Sequence, residues 1–254
     1  MNIPSARSFS AVATLTAAAI LLAIVASSGV SVHAQGRGGA PAQAPRAAAG
    51  IDLTGYWVSL VTEDWRYRMI TPAKGDFGRV PLTPKGTEVA NSWNPAADAA
   101  AGNQCKAFGA ANLLRVPGRL HITWQDDTTL KIDADAGTQT RLLRFGTPPP
   151  AGERTWQGNS AARWESNAKS LNVATQNMRA GYLRFNGVPY SENATLTEHF
   201  DMAPYPGTGG GEVLVVTTIV EDPQYLRRSF IVSNHFKKER DGSKWNPIPC
   251  TATW

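Results

Sequence analysis

The sequence predicts an all-β protein, an antiparallel up-and-down barrel of about ten strands with one or two short helices after the first strand. Three observations carry this expectation. After residue 50, apolar and polar residues alternate in short runs with the period-two pattern of strands that have two different faces. Gly, Pro, Asn and Asp separate the runs, and several links are of hairpin length, which makes neighbouring strands antiparallel. A meander of this kind inside one domain removes its exposed edges by closing on itself.

Residues 1–34 read as a secretory signal. Arg7 supplies the positive start, 11–32 is almost free of polar groups, and Val32-His33-Ala34 sets a small residue before Gln35, so cleavage is expected after Ala34. The run is long enough for a retained membrane anchor, the competing reading, but its Ala, Ser and Gly content makes it weakly hydrophobic. Residues 35–50 hold only Gly, Ala, Pro, Gln and Arg, the composition of a flexible linker. Residues 51–254 then form a single barrel domain with enough chain for a sizeable core. Strands are expected at 56–69, 113–116, 119–125, 129–134, 138–145, 154–165, 170–178, 194–202, 212–221 and 228–237. Thr83 as N-cap and Pro84 at the first helical position start a helix over 84–93, and 96–101 adds a second short turn. Such a helix either lies over a barrel mouth or packs on the outside.

Three of the 25 basic residues, Arg7, Arg37 and Arg46, precede Ile51, which leaves 22 against 20 acidic residues in the domain. The net charge of +5 therefore overstates any affinity for polyanions. No Lys/Arg block interleaved with aromatics is present, so nucleic acid is not an expected partner. Cys105 and Cys250 are the two cysteines of the chain, and in an oxidising compartment they form one disulfide. The expected location is periplasmic or secreted, with no membrane span after signal cleavage.

Strict alternation from Trp57 sends Ser59, Val61, Glu63, Trp65 and Tyr67 inward, with Thr62, Asp64, Arg66 and Arg68 facing out. Glu63 beside aromatic rings would be a desolvated carboxylate suited to acid–base work. One bulge exchanges the two sets and turns Glu63 into a member of a surface ion-pair ladder. His121, His199 and His235 lie on three different strands in phases rich in Ser, Thr and Gln, consistent with a polar, partly wet interior. Were they to meet, a divalent metal site would follow, but no local H-x-H or H-E-x-x-H spacing unites any two, so no metal and no cofactor is expected. Trp156 and Trp164, with Ser160 and Ala162 between them, are candidates for an aromatic wall; ordinary core packing is the alternative. Ala162 stands where the G-x-S-x-G hydrolase elbow needs its last glycine. The irregular stretch 179–193 carries Tyr182, Arg184 and Tyr190 and has the length of a functional lid.

Gly55-Tyr56-Trp57 resembles the G-x-W signature on the first strand of lipocalins and related calycin barrels, where the tryptophan closes one barrel end. Trp156-x-Gly158-x-Ser160-x-x-x-Trp164-Glu165 with the later Pro189-x-Ser191-Glu192 resembles a group of uncharacterised secreted proteins from soil bacteria. The calycin resemblance implies an exported barrel that binds a small, partly apolar, aromatic molecule, with Trp57, Trp65, Tyr67, His121, Trp156, Trp164, Tyr182, Tyr190 and His199 as ligand-binding candidates. The alternative is a lyase, hydratase or isomerase on the same scaffold, with Glu63 or Glu198 as base and Tyr67, Arg184 or Tyr190 polarising the substrate. A third reading is an envelope interaction protein with a filled core.

Overall fold

A computed structural model describes residues 43–147, 150, 152–205 and 211–253. The expected leader, and the linker up to residue 42, lie outside the described residues. Strand β1 (Gly55–Leu60) is followed by helices α1 (Trp65–Arg68), α2 (Pro84–Asn91) and α3 (Pro95–Ala100), a 3-10 turn at Lys106–Phe108, and α4 (Ala110–Leu113). Then come β2 (Arg119–Asp126), β3 (Thr129–Ala134), β4 (Ala136–Gly137), β5 (Gln139–Phe145), β6 (Asn159–Trp164) and β7 (Ser170–Gln176). The chain ends with β8 (Gly181–Tyr182), β9 (Pro189–Tyr190), β10 (Thr195–Pro204), β11 (Glu212–Glu221), β12 (Phe230–Glu239) and β13 (Ile248–Pro249).

Nine strands close a barrel in the order β1-β12-β11-β10-β7-β6-β5-β3-β2. All neighbours are antiparallel except β5 and β6, which run parallel with Leu143 opposite Ser160. The expectation of a wholly antiparallel barrel is corrected here. An odd number of strands cannot alternate direction all the way round a closed ring, so one parallel pair is obligatory, and the 146–158 connection supplies it.

Two other expectations fail for local reasons. The first strand stops at Leu60 because Asp64 adopts a left-handed backbone, φ 50°, and turns the chain into α1. Residues 113–116 are the end of α4 and the turn after it; all four side chains are buried, so the stretch has no outward face. The helix starts follow their caps: the Thr83 side chain accepts from the Gly86 amide at 3.0 Å, and Asn94 accepts from Ala97 at 3.1 Å.

The core has two parts. Trp57, Ile122, Ile132, Leu171, Phe200 and Phe236 belong to the cluster that fills the barrel. Trp57 is fully buried and donates its indole N–H to the Leu53 carbonyl at 2.9 Å. Residues 43–50 bind this end of the barrel: Arg46 N–H donates to the Asp127 carbonyl, Gly50 N–H to Ala168, and the Trp164 indole to Pro45. At the other end, Leu196, Val220 and Phe230 pack with Ala90 of α2, Ala111 of α4, and Leu183 and Val188 of the β8–β9 ribbon. The helical insert and the ribbon thus close this mouth.

Cys105 and Cys250 form a disulfide with a Cα–Cα distance of 5.0 Å. It sits beside the β4–β13 ribbon, where Gly137 has φ +80° and any side chain would collide with Phe108. Bridging positions 145 residues apart removes on the order of 5 kcal/mol of chain entropy from the unfolded state. Among the described residues no helix is long and apolar enough to cross a membrane.

Candidate functional site

A belt of polar side chains crosses the interior between the two core clusters. Arg141 on β5 reaches past β6 and β7 to Glu198 on β10. Its Nη1 donates to Oε1 at 2.9 Å and its Nη2 to Oε2 at 2.7 Å, and both side chains are fully buried. Ser160 on β6 and Thr175 on β7 lie along this path, bonded to each other at 2.8 Å and each within reach of Arg141 Nη2. Glu198 stands opposite Thr218 in the β10–β11 register. Asn234 of β12 stands opposite Val216, diagonal to Thr218 on the same face. Thr218 Oγ1 and both amide atoms of Asn234 are buried and hydrogen-bond to none of the described groups. Such an orphan costs roughly 1–3 kcal/mol, and this belt holds three of them.

Three arginines gather where β1 gives way to α1. Arg68 donates from Nε to the Arg115 carbonyl at 2.7 Å and from Nη2 to the Ser59 hydroxyl at 3.0 Å. Ser59 lies opposite Phe236, one step along the inward face from Asn234, which brings Arg68 to the rim of the polar belt. Arg184 stacks its guanidinium 3.9 Å from the Tyr67 ring centre and gives Nη1 to the Gly78 carbonyl at 2.8 Å. Arg115 lies 5.4 Å over the Phe230 ring, and its nearest carboxylate, Asp64, is 3.6 Å away. Asp64 is shared with Arg79, at 2.9 Å. Burial pushes the Arg115 guanidinium down to about 10, the positive fields of Arg184 and Arg68 add to the effect, and Asp64 opposes it. Burial also lowers Arg68 and Arg184.

The residues expected from the sequence are scattered. Glu63 is part-buried: its Oε1 lies 2.8 Å from His235 Nδ1 and accepts from the Thr62 hydroxyl, while Oε2 is buried without a hydrogen-bond partner among the described groups, so the expected base among Trp65 and Tyr67 is replaced by a pair with His235. Trp65 is 65 % exposed because the chain has already left the barrel. Glu198 is interior but committed to Arg141 through both oxygens. Tyr67 and Arg184 do come together. Tyr190 is fully buried in the second core with its hydroxyl unpaired, and burial raises its pKa. Tyr182 donates to Asp98 at 2.7 Å, and burial together with that carboxylate raises it as well.

Trp156 precedes β6 and lies under Arg179, while Trp164 packs on Phe145, so the two form no common wall. The three histidines face outward, opposite to a wet-interior phase. His121 stacks on Tyr56 with ring centres 4.1 Å apart, His199 adjoins Asn172, and His235 meets Glu63. Among the described residues no group of three metal-ligating side chains exists. The 179–193 stretch packs over the barrel mouth, with Leu183, Arg184, Phe185, Asn186, Val188 and Tyr190 all buried.

Arg141, Thr218, Asn234 and Arg115 were not singled out from the sequence, and Arg68, expected to face out, is buried because α1 replaces the strand there. A signal was present for two of them. Arg141 shares its phase with Leu143 and Phe145, and Asn234 shares its phase with Phe230 and Phe236; a lone polar residue in an apolar phase marks a buried polar site.

The fold and site define a closed nine-stranded barrel with a desolvated polar belt and an arginine cluster at one mouth. No family model, curated protein or solved structure matches the chain.

Proposed function

We propose that the protein is an exported barrel that binds a small, partly apolar molecule in the polar half of its interior, on the calycin plan implied by Gly55-Tyr56-Trp57. The observation that carries this reading is the group of unpartnered atoms at Asn234 and Thr218. A barrel built only to pack would place apolar side chains there, as it does at Val216 and Phe236. Ligand pockets combine apolar walls with a few oriented polar groups. Here Leu196, Val220 and Phe230 are the adjoining wall, and Thr218 and Asn234 the oriented groups. The disulfide is in keeping with export. Catalysis by a buried carboxylate has less support, since Glu63 is paired with His235 and Glu198 is held by Arg141.

The test is native mass spectrometry of protein recovered from its own host, compared with its denatured mass. An added mass that disappears in a Thr218→Val, Asn234→Leu variant supports the reading. A wild type without added mass, together with a variant that is simply more stable, overturns it in favour of a filled-core interaction protein.

A further inference from the structure

We infer that Arg68, Arg115 and Arg184 form a binding site for the anionic group, carboxylate or phosphate, of the ligand. This inference rests on the reading of the barrel as a ligand carrier and names the chemistry its ligand must present. Five guanidinium nitrogens of the cluster are buried and hydrogen-bond to none of the described groups: Arg68 Nη1, Arg115 Nε and Nη2, and Arg184 Nε and Nη2. Their positions within each side chain are informative. Nε and Nη2 form the edge of a guanidinium that presents two parallel N–H bonds, the fork that matches two oxygens of a carboxylate or phosphate. Arg184 keeps this edge free of hydrogen bonds, whereas on Arg115 the Nε end is free and the Nη2 end faces Asp64 at 3.6 Å.

The remaining contacts fix the guanidiniums rather than satisfy them. Arg184 is anchored through Nη1 on Gly78 and held flat by Tyr67. Arg68 is tied by Nε and Nη2 to the Arg115 carbonyl and Ser59. The charges do not balance within the cluster. Asp64 approaches Arg115 no closer than 3.6 Å and is also bound by Arg79, and Asp76 is taken by Arg66 at 2.5 Å. Glu63, whose field also reaches Arg68, is paired with His235. Three like charges brought together out of water repel strongly, and a bound anion removes both the repulsion and the unpaired donors at once. Water alone would satisfy donors without supplying the missing charge.

The experiment titrates the disulfide-intact protein with benzoate, phenyl phosphate and the neutral benzyl alcohol, by calorimetry at fixed low ionic strength, in wild type and Arg184→Met. The expected result is saturable binding of the two anions, little binding of benzyl alcohol, and a loss of about 10- to 100-fold in anion affinity in the variant, the scale of a charge-assisted hydrogen bond. Arginine Nε–H resonances of the wild type provide a second readout that needs no variant: benzoate shifts them and benzyl alcohol does not. If benzyl alcohol binds as tightly as benzoate, the anion site is refuted while the interior-binding reading stands. If no anion binds the wild type, or Arg184→Met binds anions unchanged, the anion site is refuted, and the native mass measurement judges the binding reading by itself.

Discussion

Replacing Glu198 with Gln leaves the Arg141 guanidinium charged in a fully enclosed site. In the wild type both carboxylate oxygens accept from Arg141, at 2.9 and 2.7 Å, and neither side chain touches solvent. Ser160 and Thr175 are neutral and already bonded to each other, so they cannot replace the lost charge. Removing one partner of a buried ion pair costs about 3–5 kcal/mol. For a domain of this size that lowers the thermal midpoint by roughly 6–20 °C. Replacing both partners, Arg141→Met with Glu198→Leu, removes the desolvated charges together. That exchange is neutral or gains about 1–4 kcal/mol. Urea unfolding, followed by tryptophan fluorescence, of the wild type, Arg141→Met, Glu198→Leu and the double variant gives the four corners of a cycle, and their non-additivity is the coupling between the two charges. A single-substitution cost below about 1 kcal/mol, or a double variant as unstable as the sum of the singles, would refute the view of this pair as a closed electrostatic unit.

Trp57→Ala is expected to cost about 3–5 kcal/mol by denaturant unfolding, since the ring is fully buried and its indole N–H holds Leu53. Replacing Cys105 and Cys250 by Ser lowers stability by up to about 5 kcal/mol, read from unfolding midpoints under non-reducing conditions. Arg115→Met stabilises the ligand-free protein at pH 7 by about 1–3 kcal/mol, because it removes a desolvated charge. Burial brings the folded-state value of Arg115 down to about 10, well below its value in the unfolded chain, so the charge penalises folding at lower pH and is relieved as pH rises through 10. The advantage of the variant therefore shrinks above pH 10, which stability curves of the two proteins at pH 7 and 10.5 measure. Glu63→Gln changes stability by less than about 1 kcal/mol at pH 8, as befits a half-exposed pair with His235.

The strands were legible wherever one face met the core and the other met solvent. Residues 129–134 alternate apolar and polar and fall on β3, and 212–221, rich in Val, Ile and Thr, falls on β11. Alternation failed at Asp64, because a left-handed aspartate leaves no mark on hydropathy; beyond it Trp65 is exposed, and Tyr67 is buried on α1 rather than on the strand. The ribbon at 179–193 was unreadable for another reason. Its side chains are buried by the helical insert, a partner distant in sequence, and a stretch covered on all sides has no period. The histidine phases misled because polar side chains that avoid Lys and Glu resemble an interior, whereas His121 and His235 are occupied by ring stacking and ion pairing on the outer surface. The arginine cluster lay beyond sequence reasoning altogether, since Arg68, Arg115 and Arg184 come from three separate segments.

The barrel's seam bears on the order in which the molecule can be made. Strand β1 pairs with β12 from Tyr56 opposite Glu239 to Leu60 opposite His235, so the first strand to leave the ribosome waits for the last before one of its edges is covered. The Cys105–Cys250 link closes across the same interval. Pairings so distant along the chain slow folding and leave open strand edges exposed to other chains while they form. A protein translated from its N-terminus therefore completes this barrel only once β12 has been made, and a truncation that removes β12 leaves β1 and β11 each with a bare edge.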